Sequence, residues 1–182
     1  MNLKLKEKIV LITGSSYGIG CWKGTKDLII KKKDWNLSFN KYFITYYNSF
    51  NIPYSLIDKK KGSIIAISSI AGLETLNAPT EYSVSKTSLV SYCKNLSKKL
   101  KSGIRINVIS PGNVYMKGNN WDKKLKKDKS SVLKYIKNNV PLNRFASPDE
   151  IANLALFLSS DLSSFIHGSN IIIDGGQTNK IS

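Results

Sequence analysis

Cysteine and arginine are nearly missing from this chain, and acidic residues are scarce. Its two cysteines, Cys21 and Cys93, stand far apart in 182 residues, outside any C-x-x-C pair and without histidine-rich company. That argues against a disulfide framework and against a zinc site, so two reduced thiols and no metal are expected. The single histidine, His167, is expected to pack at the surface rather than to act chemically. No apolar run approaches the roughly 18 residues of a membrane span. The opening MNLKLKEKIV lacks the long apolar centre of a signal peptide, so a cytoplasmic chain with no membrane partner is expected.

Basic residues outnumber acidic ones 28 to 12, a formal net charge of +16. Clustered cations gain affinity for nucleic acid by counterion release. Arg105 and Arg144 are the only arginines, however, and phosphate and base recognition favours the guanidinium fork. The lysine excess therefore reads as a solvated surface, and nucleic acid is not the expected partner. A chain of this length makes one domain, residues 1–182, large enough to bury a core.

Against that background, short apolar runs and glycine-marked turns stand out. Ile9-Val10-Leu11-Ile12 reads as a parallel strand buried on both faces, and it runs into Thr13-Gly14-Ser15-Ser16-Tyr17-Gly18-Ile19-Gly20. Glycines there permit a tight turn and a close approach to phosphate, at a helix N-terminus with free N–H groups. Asp34 to Phe50 reads as an amphipathic helix with Trp35, Phe39, Tyr42, Phe43, Tyr46 and Tyr47 spaced by three and four, a core or subunit-interface stripe.

After a linker, Asn51–Gly62, the stretch Ser63 to Lys86 reads as a strand over Ile64–Ile67 ending at Ser68 and Ser69, then a loop, then a helix carrying Tyr82 and Lys86. Residues four apart share one helix face. An ammonium beside a phenol favours phenolate, so the Tyr82 pKa is expected to fall towards working pH, as a general acid/base requires. That helix continues to Leu100 and stops at Ser102-Gly103. Ile104–Ile109 alternates as a strand, followed by Ser110-Pro111-Gly112. Asn113–Val140 is a polar excursion of lid or substrate-loop length with one helix, Ser130–Asn138. Ser147-Pro148-Asp149-Glu150 is a capping box that opens a helix over Pro148–Ser159. Ile171–Ile173 closes as a strand.

Together these segments resemble the short-chain dehydrogenases/reductases, Rossmann-type enzymes that move hydride between a nicotinamide cofactor and an alcohol or carbonyl. The pieces are Thr13–Gly20, Asp34–Asn40, Gly62–Ser69, Tyr82–Lys86, Ile104–Val114, Pro141–Ser160 and Phe165–Gly176. The resemblance implies an α/β fold, a parallel sheet with flanking helices, and NAD or NADP as cofactor. It implies that Tyr82 is the acid/base, that Lys86 lowers its pKa and holds the nicotinamide ribose, and that Ser69 binds the substrate oxygen. Asn40 would anchor a proton-relaying water. Gly14, Ser16, Gly18, Ile19 and Gly20 would bind pyrophosphate and ribose, and Pro111, Gly112 and Val114 would pack against nicotinamide. Met116 stands where many members carry a threonine.

The resemblance fails over Cys21–Lys33. The interval between Gly20 and Asp34 is too short for the family's second to fourth strands, so the sheet is expected to be shortened and to lack the adenosine-binding half. Two outcomes follow for the first strand. It pairs with the Ser63–Ser68 strand in the vacated slot, or the slot stays open. The expected protein is an NAD(P)-dependent oxidoreductase of a small alcohol or carbonyl compound, acting as a homo-oligomer. The alternative is a catalytically impaired remnant or assembly partner, whose helices Asp34–Phe50 and Tyr82–Leu100 correspond to the family's subunit interface.

Overall fold

The computed structural model describes residues 9–13 as backbone, and 29–50, 62–100 and 103–179 with their side chains. The glycine turn with Gly14, Ser16, Gly18, Ile19 and Gly20, as well as Cys21 and most of the linker before Gly62, lies outside the described residues.

Four strands, β1 (Ile9–Thr13), β2 (Gly62–Ile67), β3 (Ile104–Pro111) and β4 (Asn170–Ile173), form one parallel sheet in the order β1-β2-β3-β4. Helices fill the crossovers, as parallel pairing requires. Helix α1 (Lys32–Phe39) runs through a π-helical turn, Asn40–Ile44, into further helix over 45–50. Helix α2 (Thr80–Ser97) joins β2 to β3; α3 (Asn120–Lys127), α4 (Lys129–Asn139) and α5 (Pro148–Ser159) lie between β3 and β4.

The vacated slot is filled. Ile9 pairs with Gly62 and Thr13 with Ala66, so β1 lies directly beside β2. Unpaired backbone at that edge of β2 would have been left without its ladder, and a single strand shift satisfies it.

Alternation along β2 divides the core. Ile64 and Ala66 face α2 and the first helix, packing with Ile106, Val108, Leu89, Cys93, Tyr46 and Phe50. Ile65 and Ile67 face the other way, onto Ile109, Ile151, Ala155 and Leu158. Both faces are covered, which is why Ile64–Ile67 are apolar without alternation and the one polar side chain of β2, Ser63, is buried with its hydroxyl donating to the Leu158 carbonyl.

Aromatic contacts join the first helix to α2. The Tyr92 ring meets Phe43, Tyr46, Tyr47 and Phe50 at centroid distances of 5.6 to 6.3 Å. Cys93 is a buried free thiol donating to the Tyr46 hydroxyl at 3.2 Å.

Helix α2 ends at Ser97, short of the expected Leu100, and Gly103 adopts φ +93° at the turn into β3 rather than at the helix end. Two local signals hold as expected. Ser147 and Glu150 form the reciprocal capping box of α5. The second helix of the 113–140 excursion spans Lys129–Asn139.

Helix α3 was not legible, because half of NWDKKLKK is lysine. It forms because the Asn119 side chain accepts from the N–H of Trp121 and Asp122, and because Trp121 and Leu125 dock on a cluster of Val132, Ile136, Val140 and Phe145.

His167 is exposed, and its ring braces three segments. Nδ1 accepts from the Ile106 N–H at 3.2 Å and Nε2 lies 2.7 Å from the Ser97 carbonyl, so one neutral tautomer joins β3, the end of α2 and the approach to β4. Among the described residues no helix is long and apolar enough to cross a membrane, and no cluster of metal-ligating side chains occurs.

Candidate active site

Strand β2 releases Ser68 and Ser69 at its carboxyl end, the edge where open α/β sheets place ligands. The two serines have different tasks. Ser68 is buried; its N–H donates to the Ile109 carbonyl at 2.8 Å and its hydroxyl to the Lys86 carbonyl at 3.0 Å. Ser69 is half-buried and extended, and its Oγ accepts from the Ala71 N–H at 3.2 Å, capping a 3-10 turn over Ile70–Gly72. The turn is pinned to α2 by the Thr87 hydroxyl, which donates to the Gly72 carbonyl at 2.8 Å. Ser69 is thereby held between two anchors on α2.

Tyr82 and Lys86 are both buried, at 9 % and 5 % exposure. The Lys86 ammonium donates to the Ile67 carbonyl at 2.9 Å and lies 5.9 Å from the centre of the Tyr82 ring. Of the two serines, it is Ser69 that favours the ionised form of the Tyr82 phenol. Ser69, Tyr82 and Lys86 thus converge from a loop and one face of α2.

The expected lowering of the Tyr82 pKa is not what the structure gives. Burial pushes the phenol up to about 12; Ser69 pulls it partly back, and Tyr42 nearby adds to the rise. Burial also pulls Lys86 down to about 8. The physical reason is common to both groups. Leaving water penalises phenolate and ammonium alike, and the Lys86 donor is directed at a backbone carbonyl instead of at the phenol.

Asn40 opens the π-helical turn and is exposed. Its carbonyl accepts both the N–H of Thr45 and the Thr45 hydroxyl, the latter at 2.7 Å. Beside Tyr82 and Lys86 stands Tyr42, a member of the aromatic packing stripe two residues on from Asn40. The Tyr42 ring meets the Tyr82 ring edge-on, with centroids 4.9 Å apart and planes at 87°. The Lys86 Nζ is 5.5 Å from the Tyr42 centroid. Only its membership of the aromatic stripe pointed to Tyr42.

At the end of β3, Pro111 is buried and Gly112 packs so closely on Asp174 that an added Cβ would sit 2.7 Å from its Cα. Val114 is fully buried among the residues under α5, so only its backbone is available to a ligand. Its carbonyl accepts from Asn119 Nδ2 at 2.9 Å. Met116 is half-buried.

The donor set suits the ribose end of a nicotinamide nucleotide. Lys86 has three N–H donors, one of them given to Ile67, and it is balanced by ring faces and a carbonyl rather than by a carboxylate among the described residues.

Comparisons with known proteins agree with this architecture. A family model described as enoyl-(acyl carrier protein) reductase matches residues 16–178. The chain is 32% identical over 158 residues to 3-oxoacyl-(acyl-carrier-protein) reductase FabG of Thermotoga maritima, covering 84% of this chain and 61% of that protein. It is 33% identical over 161 residues to oxidoreductase UcpA of Salmonella typhimurium, covering 84% of this chain and 59% of that protein. L-sorbose reductase from Gluconobacter frateurii, solved with NADPH and L-sorbose, superposes with a TM-score of 0.84 at 25% identity, over 94% of this chain and 67% of that one. The chain therefore spans about three-fifths of these curated relatives' length, has an α/β Rossmann-type fold, and belongs to the short-chain dehydrogenase/reductase family.

Proposed function

We propose that this chain is an NAD(P)-dependent oxidoreductase of a small alcohol or carbonyl compound, with Tyr82 as its acid/base. The observation that carries the reading is the convergence of Ser69, Tyr82 and Lys86 at the carboxyl edge of β2. When bound, a nicotinamide dinucleotide supplies or accepts the hydride. Tyr82, protonated at neutral pH, gives its phenolic proton to the substrate oxygen as negative charge develops there. Ser69 donates a hydrogen bond to the same oxygen, and Lys86 stabilises the phenolate left behind and holds the ribose. Asn40 is assigned the water of the proton relay.

Gly14, Ser16, Gly18, Ile19 and Gly20 are assigned to the pyrophosphate and adjacent ribose, and Pro111, Gly112 and the backbone of Val114 to the nicotinamide. L-sorbose reductase, solved with NADPH, supports a nicotinamide cofactor. Titration of tryptophan fluorescence with NADPH and NADH tests the reading. Saturable quenching below millimolar concentration is expected, and no binding of either at millimolar concentration would sink it.

The β1–β2 pairing favours a second reading, an impaired member acting as an assembly partner. With β1 beside β2, the chain leaves Thr13 one strand spacing, ~4.8 Å, from the strand that carries Ser69. The family's fourth strand, whose place this slot is by the resemblance, has no room between them. The exposed side of the first helix and α2 would then mate with a second copy, and strictly monomeric behaviour in light scattering would count against it.

A further inference from the structure

Tyr42 touches both members of the Tyr82–Lys86 pair, and the route by which it arrives there is built into the first helix. Ser38, Tyr42, Tyr46 and Phe50 recur every four residues; Ser38, Tyr46 and Phe50 are buried. An α-helix advances about 100° per residue, so a four-residue spacing drifts by about 40° per step and about 120° over the three steps. The π-helical turn at Asn40–Ile44 under-winds the helix and takes back part of that drift. Tyr42 sits within this turn and stays aligned with Tyr46 and Phe50 towards α2.

The same turn commits the Asn40 carbonyl to Thr45, through its N–H and its hydroxyl. A carbonyl has two lone pairs, and both have partners. From the same helix the Tyr42 ring approaches Lys86, with Nζ 5.5 Å from its centroid.

From this geometry we infer that Tyr42 is a positioning residue of the site, fixing the Tyr82 ring by its edge-on contact and holding the Lys86 ammonium over its own ring face. The inference rests on the proposed function only for what the site is used for; the contacts themselves exist without ligand. Aromatic pairs prefer this T-shaped arrangement, and a desolvated cation over a ring face is worth more than an exposed one.

Ionisable groups around the contact come from the first helix and α2. The first helix contributes Lys41, whose Nζ lies 5.2 Å from the same Tyr42 ring. Helix α2 contributes Tyr82, Lys86 and the buried Glu81. The polar groups beside them that do not titrate are the Ser69 hydroxyl, just past β2, and the Ile67 carbonyl at its end.

The test is a titration of the ligand-free protein carrying 13C-labelled lysine, followed by NMR, with Lys86 identified as the signal missing from Lys86→Met. In Tyr42→Leu the midpoint of Lys86 is expected to fall by about one pH unit, a tenfold change, because the ring face that favours the ammonium is gone. In Tyr42→Phe, which keeps the face, it stays within a few tenths of the unsubstituted protein. Circular dichroism checks folding, and Tyr42→Met replaces the leucine variant if that variant does not fold. An unmoved Lys86 midpoint in the aliphatic variant, or a phenylalanine variant that shifts as far as the leucine one, overturns the inference. Since no cofactor enters the titration, a failure of hydride transfer or of NADPH binding leaves this result standing by itself.

Discussion

Gly72 and Lys86 meet backbone to backbone. A methyl group placed on Gly72 would lie 2.8 Å from the Lys86 carbonyl carbon and 2.8 Å from the Thr87 nitrogen, with 2.9 Å to the Lys86 Cβ. Neither backbone atom belongs to a flexible side chain, so the loop itself has to move.

Gly72→Ala is therefore expected to push the serine loop off α2 and to break the Thr87–Gly72 bond. Overpacking of this kind costs about 1–3 kcal/mol. A displacement of Ser69 by about 1 Å would cost about a hundredfold in any rate that depends on it. Urea unfolding reads the first effect and carbonyl-reduction kinetics the second; wild-type values for both would show that the close contact does not position Ser69.

Alkaline stability follows from Lys86. Its folded pKa is near 8 and its unfolded value near 10.5, so between those values the unfolded chain binds the extra proton and stability rises with pH. The gain amounts to roughly 3 kcal/mol if realised in full. Above pH 10 the sign reverses, because Tyr82 holds its proton to about 12 while the unfolded phenol loses it. Urea midpoints measured from pH 7 to 10 should rise in the wild type relative to Lys86→Met. Parallel curves for the two proteins would show that Lys86 is charged without penalty.

Acid stability follows from carboxylates outside the site. Glu150, held by Arg144 through contacts of 2.8 and 2.7 Å, and Asp122, held by Lys126, both titrate near 2 in the folded chain. Each contributes stability above its unfolded pKa near 4, lost as pH falls towards 2. The melting temperature should drop over that window and drop less in a Glu150→Gln, Asp122→Asn protein. An equal drop in both would assign acid unfolding to other groups.

His167→Ala removes the brace between Ile106 and Ser97. The loss should be about 1–2 kcal/mol, a fall of roughly 2–8 °C in melting temperature for a chain of this size. Leu162→Ala, at an exposed position in the same region, serves as the comparison and should change little. Equal shifts in the two would mean that the imidazole is only a surface group.

Much of this molecule follows from local chemistry. An apolar run bounded by turns specifies β2, since a parallel strand covered on both faces tolerates few polar residues, and alternation marks β3, whose buried Asn107 donates to the Ile166 carbonyl. The Ser147–Glu150 box marks a helix start because a cap requires those side chains, and Gly103 takes its positive φ at the entry to β3. The spacing of Ser69, Tyr82 and Lys86 places three functional groups on neighbouring elements. Helix α3 escaped detection because its stability comes from one cap and from Trp121 and Leu125 finding a distant hydrophobic cluster.

Tertiary structure decided the rest. The segment Ile9–Thr13 suits any interior slot of a parallel sheet, and only the vacated edge of β2 selected its neighbour. The π-helical turn and the arrival of Tyr42 beside Tyr82 depend on the packing of the first helix against α2, which an aromatic stripe announces without specifying. Burial also reversed the expected direction for Tyr82. A lysine four residues away predicts a more acidic phenol only where charge is tolerated, and the tolerance for charge is set by how much water the folded chain excludes.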